Sequence, residues 1–274
     1  MPAPAPAASP PTDTALAAYN NKQWATCADL YEKQGGMNAL YNAACCRAQD
    51  GKQDAAFATL DRAIAAGYTD TKHMVDDPDL VSLRDDPRWA KALASIDEKI
   101  AAYEKTLKDP ALRKEILALM DEDQAARKAY IATKDPKAQE RIKASDAKTT
   151  ARMKEVVAKY GWPGKSIIGE DGTRAAWLLV QHADEAADLQ KLCLPLLEKA
   201  VAAGESPKEN YAYLYDRVAV HDGRPQRYGT QFANGVPDPI EDEAHVDERR
   251  KEVGLGSMAA YREQMRKMYG SDIK

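Results

Sequence analysis

A single histidine stands directly after an apolar helical run in the second half of this 274-residue sequence. The imidazole of His182 would titrate near neutrality, so it could serve as a general acid or base. Asp184 lies two residues further on, and a helix would point its side chain away from the histidine. A better partner would come from another helix: Asp123, Asp146 or Asp216. The candidate catalytic residues are His182, Asp216 and Tyr228.

Other polar side chains interrupt the amphipathic pattern of the second half. Arginines could clamp a carboxylate or phosphate with paired hydrogen bonds, and amide and hydroxyl groups would suit an amide or sugar. The candidate ligand-binding residues are Asp123, Gln124, Arg127, Trp162, Arg217, Gln226, Thr230 and Gln231. The alternative is a structural role throughout. A lone histidine on an apolar helix is more often a hydrogen-bonded core residue, and Asp123 can simply pair with Arg127 at i,i+4.

Metal and cofactor chemistry finds little support. His182 and Glu185 are spaced to reach one ion, but the remaining three histidines occur in unrelated contexts. No G-x-S-x-G elbow, phosphate-binding loop or dinucleotide fingerprint is present. Cys193 lies among leucines, with no neighbour to stabilise a thiolate. We therefore expect no cofactor and no metal.

Composition and periodicity predict a mainly α protein. Ala, Lys, Glu, Leu and Arg are abundant and only two Phe occur, which favours helices. One change of period stands out, because Gln226–Phe232 alternates like a strand and Asn234-Gly235 is a hairpin-turn signal. The predicted organisation is a Pro/Ala-rich disordered linker over 1–13, a helical array with a connector helix over 14–108, and a helical domain with one small β-hairpin over 109–274.

Charge and hydropathy exclude two classes of partner. The 39 basic and 43 acidic residues give a formal net charge of −4, with no Lys/Arg stripe, so we expect no nucleic-acid partner. No window approaches 18 consecutive apolar residues, so no transmembrane segment is expected.

The first residues and the cysteines bear on localisation. Residues 1–11 alternate Pro with small residues, and this pattern resembles the start of a mature exported bacterial protein, so we expect a periplasmic or secreted protein whose signal peptide has been removed. The alternative is a disordered cytoplasmic tail. If the protein is exported, Cys27 can form a disulfide with Cys45 or Cys46. All four cysteines could equally be small buried apolar residues.

The first half carries a repeat-like pattern. Small residues at helical spacing from Asn38 to Gly67, with Gly51-Lys52 at a turn and Phe57 between the helices, resemble a tetratricopeptide repeat. Trp24, Cys27, Leu30 and Tyr31 resemble half of a preceding unit. The resemblance implies a short array that binds a peptide or protein partner on its concave face.

The second half carries a different set of landmarks. Asp123-Gln124 with Arg127, Gly161-Trp162-Pro163, Gln181–Asp184, Asp216-Arg217 and Gln226 with Tyr228–Gln231 resemble a bacterial domain family of unknown function over about 110–270. The resemblance implies a domain boundary and a choice of residues, and it carries no reaction.

Two functions are consistent with these observations. The first is an exported, repeat-containing protein that binds a peptide or protein partner and holds a polar ligand pocket in its C-terminal domain. The alternative is a cofactor-independent enzyme that uses His182 as general acid or base on a peptide or small polar substrate.

Overall fold

The computed structural model describes residues 11–233 and 235–269. The chain divides into two compact units, residues 1–104 and 105–274. The described residues are mainly helical and contain a single two-stranded antiparallel sheet, which confirms the predicted fold class. Among these residues, no helix is long and apolar enough to cross a membrane.

The N-terminal unit consists of helical hairpins. Its elements are α1 (Pro11–Asn20), α2 (Trp24–Gln34), α3 (Met37–Gln49), α4 (Gln53–Ala65), α5 (Thr71–Asp76), a 3-10 helix (Pro78–Leu83) and α6 (Pro87–Glu104). α1 packs against α2, α2 against α3, and α3 against α4. Gly35, Gly36 and Gly51 have positive φ between these helices, which explains why the helices end there. Phe57 and Leu60 lie in a core that continues to Trp89 and Ile96 of α6.

The cysteines of this unit differ in whether they form a disulfide. Cys27 of α2 and Cys46 of α3 form a disulfide, so the structure selects one of the two pairings that the sequence left open. Cys45 is buried and free, and its thiol donates to Asp77 at 3.6 Å. Burial raises the pKa of the Cys45 thiol far above its usual range, and the thiol is therefore a poor nucleophile.

The C-terminal unit is a helical bundle with a small hairpin. Its elements are α7 (Pro110–Thr133), α8 (Pro136–Tyr160), α9 (Lys165–Gln181), α10 (Ala187–Ala202), α11 (Lys208–His221), β1 (Phe232–Ala233), β2 (Val236–Pro237), a 3-10 helix (Glu243–His245), α12 (Val246–Glu252) and α13 (Met258–Tyr269). α7 packs against both α8 and α9. Their apolar faces form one core around Ile116, Met153 and Leu179.

Local sequence explains the long α7–α8 hairpin. Asp109 caps α7 by accepting from the Leu112 backbone N–H at 2.9 Å, and Pro110 occupies the first turn. Asp135 and Pro136 repeat this arrangement at the start of α8. Lys134 adopts the left-handed conformation between the two helices, with φ of 53°. The hairpin thereby brings the last turns of α7 beside the first turns of α8.

The start of the first helix differs from the predicted organisation. The structure begins α1 at Pro11, inside the predicted linker, while residues 1–10 lie outside the described part of the chain.

Two helices of the C-terminal unit contain a residue that often ends a helix. Ser166–Gly169 forms a helical turn at the start of α9, and Gly169 breaks that helix, with φ of 80°. α10 begins at Ala187 and runs through Pro195 without interruption. Residues 183–186, between these two helices, are a loop.

The predicted strand Gln226–Phe232 is only partly correct. A β-bridge joins Gln226 to Ile240, and the paired strands are confined to Phe232–Ala233 and Val236–Pro237. Asn234, in the predicted turn, lies outside the described residues. The polar segment between the bridge and β1 is a loop, because its backbone N–H groups turn towards a buried carboxylate instead of a second strand.

Candidate functional site

Four titratable side chains from three helices meet in the C-terminal unit. Asp123 and Arg127 share one face of α7, and Arg127 Nε donates to Asp123 Oδ1 at 3.0 Å. The second arm of the same guanidinium, through Nη2, donates to Asp146 Oδ1 of α8 at 2.5 Å. His182 caps the end of α9, and its Nδ1 lies 2.8 Å from Asp123 Oδ2. We call these four residues the Asp123 cluster.

The protonation states of the cluster follow from its hydrogen bonds. Burial opposes ionisation of Asp123, but the hydrogen bond and charge of His182 and the charge of Arg127 outweigh it and lower the pKa of Asp123. An ionised carboxylate only accepts, so His182 Nδ1 carries the donated proton. In the neutral imidazole, Nε2 then bears the lone pair. The His182 side chain is 21% exposed, whereas Asp123 is almost fully buried.

Asp146 differs from Asp123 in the net direction of its shift. Burial raises the pKa of Asp146, and the nearby negative charge of Asp123 adds to this effect against the attraction of Arg127. One guanidinium therefore serves two carboxylates.

A groove of about 800 Å³ lies beside this cluster. Its wall consists of Arg127, Tyr130 and Ile131 from α7, then Gln139, Ile142, Lys143, Asp146, Ala147 and Thr150 from α8, and the loop Ala183–Ala186. The α8 members repeat every three to four residues and so share one helix face. We call this space the α7–α8 groove. Its volume falls in the range of small-molecule sites.

The groove changes character along its length. Tyr130, Ile131 and Ile142 lie towards the hairpin tip, and Ile131 is 64% exposed. Arg127 and Asp146 lie one turn further from the tip. The loop Ala183–Ala186 comes directly after His182 and adds two acidic residues to the wall. The large apolar side chains of the groove therefore lie towards the tip, together with Gln139 and Lys143, and its acidic side chains lie near the Asp123 cluster.

The loop beside the groove is tied down by a candidate residue. Arg217 Nη1 of α11 donates to Asp184 Oδ1 at 2.5 Å. Asp184 lines the groove and Arg217 does not, so this arginine acts on the site through the loop. Glu185 makes no hydrogen bond or ion pair with any residue of the described ranges, and it is exposed to solvent.

A second buried carboxylate forms a separate cluster. Asp216 of α11 is fully buried and accepts from the backbone N–H groups of Arg227 at 2.7 Å, Tyr228 at 3.0 Å and Thr230 at 2.9 Å. The Thr230 hydroxyl donates to it as well, at 2.9 Å. Burial raises the pKa of Asp216 against these hydrogen bonds. We call Asp216 and the segment 226–231 the Asp216 cluster.

Neighbouring side chains hold the same segment. The Gln226 amide donates to the carbonyl oxygens of Gln231 at 2.9 Å and Asp238 at 2.8 Å, and accepts from the Gln231 N–H at 2.8 Å. Arg250 is buried and donates to the Tyr228 carbonyl at 2.6 Å. These contacts replace the partners that a second strand would supply, and so they fix the loop.

The structure separates the candidate residues into two groups. Of the three catalytic candidates, His182 belongs to the Asp123 cluster, whereas Asp216 and Tyr228 belong to the other. Among described contacts, Asp216 makes none to His182. Of the ligand-binding candidates, only Arg127 lines the α7–α8 groove, with Asp123 and Gln124 behind it. Gln226, Thr230 and Gln231 have internal partners, and buried Trp162 donates to Thr173 at 3.0 Å.

Sequence reasoning missed most of the groove wall. Ile131, Ile142 and Lys143 were not candidates, because each resembles an ordinary residue of a solvated helix, and Glu185 was considered only as a metal ligand beside His182. The one available signal was the exposed apolar residue near the end of α7, in a helix that is otherwise polar there. Arg250 gave no signal, since its helix is rich in exposed charges.

The N-terminal unit has cavities along one face of α3. Spaces of about 490, 280 and 180 Å³ all include Asn42, and two of them include Asn38. Asp77 accepts from the Tyr41 hydroxyl and Asp79 from the Tyr19 hydroxyl, each at 2.7 Å. Cys45, Asp77 and Asp79 bring possible metal-ligand atoms within 4.8 Å of one another, although the two tyrosines already occupy both carboxylates.

Comparison with known proteins identifies the class of the C-terminal unit. Residues 110–274 match a family of unknown function, DUF6624, and the chain therefore belongs to that family. No curated protein and no solved structure matches the chain. The tetratricopeptide resemblance and the individual landmark motifs stay predictions.

Proposed function

We propose that the C-terminal unit binds a small ligand in the α7–α8 groove and that the N-terminal unit binds a peptide or protein partner. The observation that carries the proposed ligand site is the groove itself, which lies beside a charged cluster centred on the buried Asp123. Buried charges are costly, and a structural bundle could replace the Asp123 cluster with apolar residues at little loss of stability. Their concentration beside an open groove favours a binding role.

The N-terminal half of the proposal rests on the hairpin array. Consecutive packing of α1 to α4, the small buried residues of α3 and the buried Phe57 support a tetratricopeptide-like array. The amide side chains of Asn38 and Asn42 are one turn apart and reach the same cavities. Amides at this spacing suit the backbone of an extended peptide.

A site-specific photo-crosslinking experiment tests the peptide partner. A photoreactive residue at position 42 of the full chain should crosslink one defined protein in the source organism. The same group at the exposed position 61 on α4 is the matched control. A synthetic peptide from the crosslinked region should then bind the purified protein, and an Asn38→Ala, Asn42→Ala double variant should weaken that binding at least fivefold. Equal crosslinking at both positions contradicts the proposal.

The disulfide supports export. Disulfides persist in oxidising compartments and are rare in the bacterial cytosol, and the Cys27–Cys46 bond joins two neighbouring helices. Fractionation of cells that express the natural protein, with thiol labelling, tests this point. An unoxidised Cys27 in a cytoplasmic fraction would contradict it.

The alternative function is a cofactor-independent enzyme with His182 as general acid or base. The hydrogen bond between His182 Nδ1 and Asp123 supports it, because it orients the imidazole and leaves Nε2 for a substrate. This version pairs His182 with Asp123 and not with Asp216 or Tyr228, since the contacts of those two residues hold the loop. The substrate would be a peptide or a small polar molecule.

Comparative mass spectrometry of a cell extract tests the alternative. Incubation with the wild-type protein should deplete a compound that His182→Gln leaves intact. His221→Gln, at the exposed end of α11, is the control and should behave like wild type. Equal depletion by wild type and His182→Gln would exclude the histidine from the chemistry.

A further inference from the structure

The charges around the α7–α8 groove define a class of ligand. We infer that this groove binds a small primary amine carried on an apolar body. The inference deepens the proposed function and rests on the groove being a ligand site. It depends on which charged groups are already paired, and on the order of apolar and acidic residues along the groove.

The basic groups of the groove are poorly arranged for an anion. Arg127 uses Nε and Nη2 of its guanidinium to donate to Asp123 and Asp146. Lys143 lines the groove on the same face of α8 as Asp146, is exposed, and is the other cation of the wall. A bound carboxylate or phosphate would therefore meet the single ammonium group of Lys143 and not the Nε–Nη2 donor pair of Arg127.

The acidic groups are in excess at the polar end. Asp146, Asp184 and Glu185 all line the groove. Arg217 neutralises Asp184, and Arg127 is shared between Asp146 and Asp123. Glu185 has no counter-ion within the described ranges. A cation placed here would offset the excess negative charge, and an anion would be repelled by it.

The apolar end of the groove determines the size and character of the uncharged part of the ligand. Tyr130, Ile131 and Ile142 lie one to two helical turns from Asp146, which corresponds to about 5–10 Å along the helix axis. An amine joined to one aromatic ring or a short alkyl chain spans this distance. The three side chains would then cover the apolar body while the ammonium group contacts Asp146 and Glu185.

A titration followed by amide NMR of the full-length protein tests the inference. Three probes share one apolar body and differ in the head group: 2-phenylethylamine, 2-phenylethanol and 3-phenylpropanoate. The amine should shift the resonances of residues 142–147 and 183–186 and bind at least tenfold more tightly than the alcohol, with the carboxylate weakest. Equal or tighter binding of the carboxylate would overturn the inference.

Matched variants locate the head group and the body. Glu185→Gln should weaken amine binding about fivefold and leave alcohol binding unchanged. Glu140→Gln, an exposed residue of α8 outside the groove, should change neither by more than twofold. Ile131→Ser should weaken both probes equally. Amine binding that is unaffected by Glu185→Gln contradicts the assigned position of the ammonium group.

The outcomes also separate this inference from the proposed function. If 3-phenylpropanoate shifts the groove resonances more strongly than the amine, the groove is a ligand site and the amine class is wrong. If no probe shifts any groove resonance at millimolar concentration, both the amine class and the small-ligand role of the groove are wrong. Resonances of the Asp216 cluster should stay fixed in every titration.

Discussion

Two buried aspartates of the C-terminal unit are satisfied in opposite ways. Asp216 takes backbone N–H groups and one hydroxyl from a single loop, none of which titrates. Asp123 takes a histidine, an arginine and the Gln124 amide from α7 and α9. The first arrangement fixes the chain, whereas the second keeps proton-binding groups together beside a groove.

The comparison shows what distinguishes a structural carboxylate from a potentially functional one. Burial is nearly the same for both, so burial alone does not separate them. The partners do, because backbone donors cannot change charge or move without unfolding the loop. Side-chain partners can titrate or rearrange when a ligand arrives.

The largest expected effect is the loss of Asp216. Asp216→Ala would leave three backbone N–H groups without an acceptor, two of them buried, and we expect the free energy of unfolding of the C-terminal unit to fall by about 3 to 5 kcal/mol. Hydrogen exchange should rise across residues 226–231, while the groove loop 183–186 should stay protected. Glu209→Ala, on the exposed side of the same helix, is the control. A decrease in the free energy of unfolding of less than about 1 kcal/mol would contradict the structural role of Asp216.

A glycine in the same loop should give the next largest effect. Gly229 has φ of 67°, and a Cβ there would lie 2.5 Å from Met258 Sδ. Gly204 has a similar φ of 73°, and a Cβ there would have no atom within 4 Å. A substitution at Gly204 therefore costs only the backbone strain. We expect urea denaturation to show a loss of about 1 kcal/mol for Gly204→Ala and about 2–3 kcal/mol for Gly229→Ala. Equal losses would mean that the loop does not pack closely on α13.

The pH dependence of stability should separate the two carboxylates of the Asp123 cluster. The pKa of Asp123 is held below its ordinary value of 3.8, so its stabilising contribution is present above that pH and is lost as the pH falls through the folded-state pKa. The pKa of Asp146 is raised, so its contribution is present at low pH and is lost as the pH rises through the folded-state pKa.

The two asparagine variants should therefore change the acid response in opposite directions. Urea denaturation between about pH 6 and about pH 3 should show a smaller loss of stability on acidification for Asp123→Asn than for wild type, and a larger loss for Asp146→Asn. Shifts of the same sign would show that Arg127 does not divide its charge as the hydrogen bonds indicate.

The smallest expected effect concerns the loop beside the groove. The Asp184–Arg217 pair has one partner that is 58% exposed, so Arg217→Ala should cost less than about 1 kcal/mol. Hydrogen exchange in residues 183–186 should nevertheless increase, because the arginine ties this loop to α11. An unchanged exchange rate would show that Arg217 does not hold the loop and forms only a surface ion pair with Asp184.

Sequence patterns predicted the elements better than the site. Asp-Pro pairs stand at the starts of α7 and α8, and Gly35 stands at the end of α2, because capping and positive φ are local properties. The hairpin was found in the correct place, but its first strand was too long. Gln226 accounts for this error, since its amide substitutes for strand partners that only the folded loop brings near.

The partner of His182 shows most clearly what could not be predicted from the sequence. The geometry of a helix excluded Asp184 and pointed to an aspartate from another helix, and Asp123 lies 59 residues away along the chain. Asp123, Asp146 and Asp216 all lie on other helices, and nothing in the sequence favoured one of them. Periodicity reports which face a residue occupies, and it contains no information on which faces of distant helices meet.

The sequence by itself determined the mainly helical fold, several of the positions where its helices end, and a histidine whose partner had to come from another helix. These features depend on capping, glycine conformation and amphipathic period, all of which act over a few residues. Only the tertiary structure decided that Asp123 pairs with His182, that Asp216 holds a loop, and that α7 and α8 enclose a groove with the Ala183–Ala186 loop. Those outcomes depend on packing between residues that are far apart in the chain, and the burial of each charge is settled there.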